Sequence, residues 1–240
     1  MDYQETLDNP FFSIPQRKID DAIEDVKNIF LDIKTGVLTR EGSLMVEAIQ
    51  RYAQANIPVD YWFLDMCDFR GDKVLKKRYE EIVSDIPKAY KKGMRMRLAG
   101  KHGVGKTMAC ACVLKRVVET GQYSALYVNM TDIVNIMASP DVESKYAARR
   151  LLLSIDFLVI DEFDSRFIGT DNAADLFGRI LEPTIRARVQ NQLPLLLCTN
   201  TTKVEEAFNG PLRDSIRSLM HMVRLVPVLG ADFRQDSEGK

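Results

Sequence analysis

Cysteine and histidine are scarce in this 240-residue sequence, which contains four cysteines and two histidines. No two cysteines form a C-x-x-C pair. Because a structural zinc site needs several such ligands at close spacing, we do not expect one here. Buried, reduced thiols are the prediction instead for Cys67, Cys110, Cys112 and Cys198.

Long apolar runs are also missing, and no stretch of the sequence is long enough to cross a membrane. The opening segment MDYQETLDNPFFS is acidic and lacks the basic and apolar regions of a secretory signal. These two absences predict a cytoplasmic protein that does not associate with membranes. Internal repeats and low-complexity segments are absent too.

Neither charge is in strong excess, since 33 Lys and Arg face 34 Asp and Glu. The distribution is uneven, because residues 1–60 hold six basic and eleven acidic side chains. A protein whose main task is to grip duplex DNA is usually more basic. The acidic front end therefore favours a protein partner, and a solvated acidic helix is the alternative.

Helical periodicity dominates the first third of the chain. Apolar residues at three- and four-residue steps predict an amphipathic helix over residues 15–33, opened by Ser13. A second helix is predicted after Ser43, and a third over residues 73–86, ended or kinked by Pro87. The apolar face of the first helix is formed by Ile19, Ala22, Ile23, Val26, Ile29, Phe30 and Ile33.

The segment NIPVDYW interrupts this helical pattern with a proline. We place a domain boundary there. It divides the chain into a helical N-terminal partner-docking region, residues 1–56, and a second domain, residues 57–240. The first region carries most of the negative charge described above.

Short apolar runs alternate with helical stretches after Gly93. Strands separated by helices predict a parallel sheet that is covered on both faces. The predicted fold class is therefore α/β, with three αβα layers, a five-stranded parallel sheet and a small helical N-terminal region. The five runs are MRMRLAG, SALYVN, DFLVID, LPLLLCTN and RLVPVL.

The segment GKHGVGKT, residues 100–107, matches the phosphate-loop pattern G-x-x-x-x-G-K-[ST] between a predicted strand and helix. Its glycines allow backbone N–H groups to surround phosphate oxygens, and the helix N-terminus adds partial positive charge. Lys106 is the predicted catalytic cation, and Thr107 is a predicted Mg²⁺ ligand. The residues predicted to bind nucleotide are Gly100, Lys101, His102, Gly103, Val104, Gly105, Lys106, Thr107 and Met108.

Acidic and amide side chains end two later strands. Asp161 closes the buried run FLVID and is the second predicted Mg²⁺ ligand. Glu162 follows it and is the predicted base that orients and deprotonates the attacking water, while Asp164 fits a surface turn better. Asn200 ends LPLLLCTN and is predicted to be catalytic if that strand lies between the other two. A turn asparagine is the alternative.

The phosphate loop, the acidic pair and the polar end of the third strand together resemble the AAA+ ATPases. This resemblance implies the P-loop NTPase fold, hydrolysis of ATP, and ATP and Mg²⁺ as cofactors. Three flanking stretches more narrowly resemble DnaC/DnaI-type helicase loaders and IstB-type transposition ATPases: ANIPVDYWFLDMCDF, ILEPTIRARVQNQLPLLLCTN and PLRDSIRSLMHMVRLVPVLGADFR. The resemblance covers roughly residues 54–234. It implies that no C-terminal lid follows Arg234. It also suggests that Tyr61, Trp62 and Phe63 form a wall near adenine, and a core cluster is the alternative for these three residues.

The resemblance also gives a role to two arginines four residues apart, which share one helical face. In the proteins that this sequence resembles, the arginine that matches Arg217 points into the nucleotide site of a neighbouring subunit. Arg217 is therefore the predicted catalytic finger. Arg213 is a second candidate, assigned to nucleotide binding. Residues 131–156 match a region that faces single-stranded DNA in such assemblies, and a solvated basic face is the alternative for them.

The leading functional hypothesis is an ATP-dependent DNA replication helicase loader. It would self-associate through the arginine finger, bind a replicative ring helicase and single-stranded DNA, and hydrolyse ATP. The main alternative is an IstB-like ATPase that regulates DNA transposition on duplex DNA. A nucleotide-gated interaction module is a third possibility, which the adjacent Asp161 and Glu162 disfavour. A small-molecule kinase is disfavoured by the paired arginines and the missing lid.

Overall fold

The computed structural model describes residues 9–32, 34–163, 171–207 and 210–230, without the side chains of residues 171–179 and 207. Ile33, Asp164 and Arg234 lie outside the described residues. Within the described ranges, no helix is both long enough and apolar enough to span a membrane.

The N-terminal region is a pair of helices, α1 (Gln16–Phe30) and α2 (Arg40–Gln54). Two short antiparallel strands, β1 (Leu31–Asp32) and β2 (Val37–Leu38), join them. The predicted helices are confirmed, whereas the prediction for the end of the first apolar face is wrong. Ile29 is 73% exposed, because α1 ends one residue later and the chain turns into β1.

Both predicted helix starts need correction. The Ser13 hydroxyl does not cap α1 but donates to Asn56 Oδ1 at 3.2 Å, and Pro15 occupies the position before the helix. Ser43 lies inside α2, whose first turn is capped by Thr39: its side chain accepts from the N–H of Gly42 at 3.2 Å. Both Ser and Thr are favoured at helix starts, so residue type alone did not distinguish the positions.

The third predicted helix is two helices. The first, α3, covers Lys73–Val83, and α4 covers Ile86–Lys91 with Pro87 in its first turn. The Asp85 side chain caps α4 by accepting from the N–H of Lys88 at 2.9 Å. Proline is well placed at a helix start, where its missing N–H has no partner within the helix. Pro87 therefore begins a helix rather than ending or kinking one.

All five predicted strands are present in one parallel sheet. They are β3 (Arg95–Ala99), β4 (Ala125–Asn129), β5 (Phe157–Asp161), β6 (Leu195–Thr199) and β7 (Arg224–Pro227). Their order across the sheet is β4–β5–β6–β3–β7. The predicted α/β class and the five-stranded parallel sheet are thus confirmed. The crossover order places β6 between β3 and β5, as the prediction for Asn200 required.

Two hydrophobic clusters cover the two faces of the sheet. One contains α5 (Lys106–Glu119) together with side chains of α1 to α4. The other contains the helices that follow β4, β5 and β6. Side chains of β4, β5 and β6 alternate between the clusters, since successive residues point to opposite faces. The helices of the second cluster are α6 (Met130–Ala138), α7 (Val142–Ser154), α8 (Asp171–Gln190) and α9 (Gly210–His221).

A buried arginine links the helices of the second cluster to the sheet. Arg188, on α8, is fully buried and donates to the main-chain oxygens of four residues at 2.6–2.9 Å. Burial lowers the pKa of Arg188 to about 10. Its hydrogen bonds hold the end of α7 and the starts of β5 and β6 at fixed positions; the acceptors are Leu152, Ile155, Asp156 and Pro194.

The end of the N-terminal region covers one edge of the sheet. The N–H of Tyr127, in the edge strand β4, donates to Ala55 O at 2.8 Å. The side-chain amide of Asn56 donates to Tyr127 O at 3.1 Å. Asn56 adopts φ +54°, a left-handed conformation that asparagine tolerates better than most residues. The division of the chain at residues 56 and 57 stays a prediction.

Candidate functional site

A cavity of about 680 Å³ lies at the carboxyl edge of the sheet. The predicted phosphate loop and the ends of β5 and β6 form its floor, and the segment before α3 forms its roof. On the floor it is lined by His102, Gly103, Gly105, Lys106, Thr107, Met108, Asp161, Glu162, Cys198 and Asn200. On the roof it is lined by Asp60, Tyr61, Leu64, Asp68, Phe69 and Arg70.

The loop has the backbone that its sequence pattern predicts. Gly103 and Gly105 adopt φ values of +76° and +88°, which strongly favour glycine. A Cβ on Gly105 would lie 2.3 Å from the Phe69 ring, so there is also no room for a side chain. Val104 is 1% exposed and anchors the loop in the core, whereas Lys101 and His102 are exposed.

Gly100 fits closely at the start of the loop. A Cβ there would lie 2.3 Å from Val228 O, just beyond the end of β7. The Gly100 N–H donates to Thr199 O at 3.2 Å, which continues the β3–β6 pairing into the loop. The loop therefore leaves the sheet from a position fixed on both sides.

Lys106 is buried, and its ammonium group joins the loop to β6. The Nζ atom donates to Gly100 O and Lys101 O, both at 2.7 Å, and to Asn200 Oδ1 at 3.0 Å. Two residues predicted to be catalytic, Lys106 and Asn200, are thus in direct contact. Their contact depends on β6 lying beside β3.

Asp161 lies at the centre of a dense hydrogen-bond network. Its Oδ2 accepts from the hydroxyls of Thr107 at 2.7 Å and Tyr127 at 2.6 Å. Its Oδ1 accepts from the N–H of Glu162 at 2.6 Å. Burial and the Asp161 carboxylate raise the pKa of the Tyr127 hydroxyl well above its ordinary value, so the hydroxyl stays protonated and donates.

The pair Thr107 and Asp161 suits Mg²⁺. This ion prefers oxygen ligands, and it commonly binds one or two carboxylates together with phosphate oxygens and water. The hydroxyl and carboxylate oxygens are adjacent, and both residues line the cavity. The residues present therefore fit the predicted ion, and their assignment as its ligands stays a prediction.

Glu162 lines the same cavity at the end of β5. It is exposed and adopts φ +54°, a left-handed conformation that is uncommon for glutamate. Such strain costs about 1–3 kcal/mol and is concentrated at functional sites. This conformation occurs where Glu162 reaches the cavity and its N–H bonds Asp161.

The roof of the cavity is held by a residue that sequence reasoning missed. Lys115, on α5, is 7% exposed, and its Nζ donates to the main-chain oxygens of Tyr61, Trp62 and Leu64 at 3.1, 2.8 and 2.5 Å. Burial lowers the pKa of the Lys115 ammonium group. A lysine in the apolar stretch of α5 was the only signal in the sequence, and it did not indicate a partner.

The three consecutive aromatic residues have different environments. Tyr61 lines the cavity. Trp62 is 1% exposed and donates from Nε1 to Ile57 O at 2.8 Å, so it belongs to the core. Phe63 is 55% exposed. The sequence could not separate these roles, because three adjacent residues in a loop share no simple periodicity.

The two arginines of α9 lie apart from the cavity. Among the described residues that line it, neither Arg213 nor Arg217 is found. Arg217 is exposed and forms an ion pair with Asp214 at 3.1 Å. Arg213 is half-buried, and within the described ranges its Nε has no hydrogen-bond partner. The roles assigned to both side chains stay predictions.

The strand order, the phosphate loop after β3 and the acidic pair at the end of β5 match an α/β fold of the AAA+ type. Solved structures agree. The DnaI crystal structure is 16% identical over 73% of this chain and 93% of its own, with a TM-score of 0.56. The crystal structure of the DnaC helicase loader is 17% identical over 71% of this chain and 99% of its own, with a TM-score of 0.55.

The replication initiator DnaA bound to AMPPCP and single-stranded DNA is 15% identical over 73% of this chain and 51% of its own, with a TM-score of 0.52. At these identities the similarity shows a shared fold. The predicted resemblance to loader-type AAA+ proteins is confirmed at that level. No protein-family model matches the sequence, and no curated protein matches it either.

We expect Gly105→Ala to weaken ATP binding by at least about 10-fold, because the new Cβ would meet the Phe69 ring and disturb the loop at the helix N-terminus. Fluorescence titration with a labelled ATP analogue measures this change. Gly121→Ala is the matched control, since φ is +66° there but the nearest heavy atom is 3.8 Å away. It should cost about 1–2 kcal/mol of stability and leave ATP affinity intact. Equal affinities in both variants would contradict the assignment.

Proposed function

We propose that this protein is a cytoplasmic, ATP-hydrolysing helicase loader. It assembles through nucleotide sites shared between subunits and delivers a replicative ring helicase to single-stranded DNA. The observation that carries the proposal is the meeting of Lys106, Asn200, Thr107, Asp161 and Glu162 at one edge of the sheet. The fold shared with DnaI and the DnaC helicase loader supports the specific role.

The chemistry of hydrolysis follows from the positions of these side chains. Backbone N–H groups of the loop hold the phosphates, and Lys106 balances the charge on the β- and γ-phosphates. Thr107 and Asp161 would hold Mg²⁺, which would supply positive charge to the phosphate oxygens. Glu162 orients the attacking water and accepts its proton. Asn200, already bonded to Lys106, hydrogen-bonds the γ-phosphate or the water.

Self-association would complete the site. Arg217 is exposed on α9 and lies outside the cavity of its own chain, so it is available to the site of a neighbouring subunit. A guanidinium group matches phosphate oxygens in geometry and charge. An arginine supplied by a neighbour contributes about 10³–10⁵ in rate in related nucleotide hydrolases. Hydrolysis would then require assembly.

The N-terminal helices offer a surface for the helicase. At the tip of this pair, where β1 and β2 connect α1 to α2, four large apolar side chains are 47–73% exposed. Exposed acidic residues follow along α1. An apolar patch with a charged surround is typical of protein interaction sites. The apolar residues of this tip are Ile29, Leu31, Val37 and Leu44.

The helix α7 offers a surface for single-stranded DNA. Arg149 and Arg150 are exposed, Lys145 is half-buried, and Tyr146 is 73% exposed. Basic groups neutralise phosphates, and an exposed aromatic ring supplies one stacking position for a base. The single-stranded DNA named with the DnaA structure supports this assignment.

Mixing two inactive variants tests the shared site. We expect Arg217→Ala and Glu162→Gln each to lose about 10³-fold or more in ATP turnover. An equal mixture should recover about a quarter of wild-type turnover, because random neighbours create intact sites at that frequency. Arg224→Ala, another exposed arginine, should stay active. Failure to recover on mixing would count against assembly through Arg217, and hydrolysis that survives Glu162→Gln would count against its role as the base.

Capture of the partner tests the loader role. With ATP present, the full-length protein should retain a replicative ring helicase from a bacterial lysate. The variant Ile29→Asp with Val37→Asp should lose the helicase, since both side chains lie on the apolar tip. Val74→Asp, at a position 55% exposed on α3, is the matched control. Retention of a transposase in place of the helicase would refute the loader proposal and support the IstB-like alternative.

Titrations with DNA test the proposed DNA-binding surface on α7. Substituting Arg149 and Arg150 with alanine should weaken binding to a single-stranded oligonucleotide in fluorescence anisotropy. The slope of log affinity against log salt should fall by about 0.7 for each phosphate that the protein no longer neutralises. The exposed pair Lys91 and Lys92, substituted likewise, is a control of equal charge. Stronger, steeply salt-dependent binding to duplex DNA would instead favour transposition.

A further inference from the structure

Two hydroxyl groups converge on one oxygen of the predicted metal-binding carboxylate. Thr107 belongs to the phosphate-loop motif, but Tyr127 comes from β4 and has no place in any of the motifs above. Tyr127 and Asp161 are 4% and 5% exposed. The phenol therefore fixes the orientation of the carboxylate in a region where bulk water does not compete for its hydrogen bonds.

The backbone of Tyr127 is itself held by the N-terminal region. Its N–H and C=O bond to Ala55 O and to the Asn56 amide. The Asn56 Oδ1 atom accepts from both the N–H and the hydroxyl of Ser13 at 3.2 Å. A continuous chain of hydrogen bonds thus leads from the segment before α1, across the end of α2, to Tyr127. From there the phenol reaches Asp161.

We propose that Tyr127 is a positioning residue for the Asp161 carboxylate, and that the N-terminal helices set its position. Tyr127 is not among the described residues that line the cavity, and its hydroxyl reaches the site through Asp161. A partner that moves α1 and α2 would change the geometry of the metal site through this residue. The inference rests on the proposed function, because it assumes that Thr107 and Asp161 hold Mg²⁺ beside a nucleotide.

Tyr127→Phe isolates the hydroxyl, since the ring keeps its place in the hydrophobic cluster. The full-length variant is titrated with a fluorescent ATP analogue in EDTA and then with Mg²⁺ at fixed analogue. We expect unchanged affinity in EDTA and about a 10-fold higher Mg²⁺ concentration at half-maximal response, which is typical for loss of a group that supports a metal ligand. Tyr123→Phe, at a tyrosine that packs on Phe157, is the control and should match the wild type.

Two results would overturn the role of Tyr127. An unchanged Mg²⁺ requirement would show that the hydroxyl does not orient Asp161. Equal weakening with and without Mg²⁺ would show a general disturbance of the site. A wild-type protein that binds the analogue but shows no Mg²⁺ response would remove the proposed metal site itself, and the inference with it. The failure of the inference alone is thus distinguishable from failure of the proposed function.

Asn56→Gly tests the link to the N-terminal helices. Glycine accepts the left-handed backbone at this position, so the change deletes the bridging amide without straining the backbone. We expect a higher Mg²⁺ requirement in the wild-type background and no further increase in the Tyr127→Phe background, because residues acting in series are not additive. Equal increases in the two backgrounds would refute transmission through Tyr127.

Discussion

The position of β6 between β3 and β5 is the constraint on which the candidate site depends. It brings Asn200, at the end of β6, beside Lys106 after β3 and close to Asp161 at the end of β5. These three strands are largely buried, and a one-residue slip would turn every side chain to the opposite face. The packing that stabilises the core therefore also determines which polar groups meet at the cavity.

Helix α5 adds a second constraint, because it holds the floor and the roof of the cavity together. Lys106, at its first residue, bonds the loop and β6, while Lys115, near its other end, bonds the carbonyls of the roof segment. Both ammonium groups are buried and hydrogen-bonded, as buried charges must be. The two walls of the cavity are thus tied to one rigid element, so a shift of α5 moves them together.

Continuous apolar runs and one strict motif made most of this architecture predictable. The five strands, the loop and the acidic pair all carry short-range signals, and the resemblance of the flanking stretches indicated the fold. Long-range contacts carry no such signal. Tyr127 and Lys115 look like ordinary residues of a buried strand and helix, and their partners are distant in sequence. The exposure of Ile29 likewise depends on where α1 ends, which periodicity alone does not determine.

The covering of β4 has a consequence for how copies of this protein can join. Open strand edges are templates for adding further strands, and proteins protect them with covering segments, prolines and charges. Here Ala55 and Asn56 occupy the hydrogen-bonding groups of Tyr127 at one edge. At the other edge, Pro227 has no N–H to offer, and Arg224 is exposed. Continuation of the sheet from one molecule into the next is therefore disfavoured, and the proposed assembly would have to use side-chain surfaces.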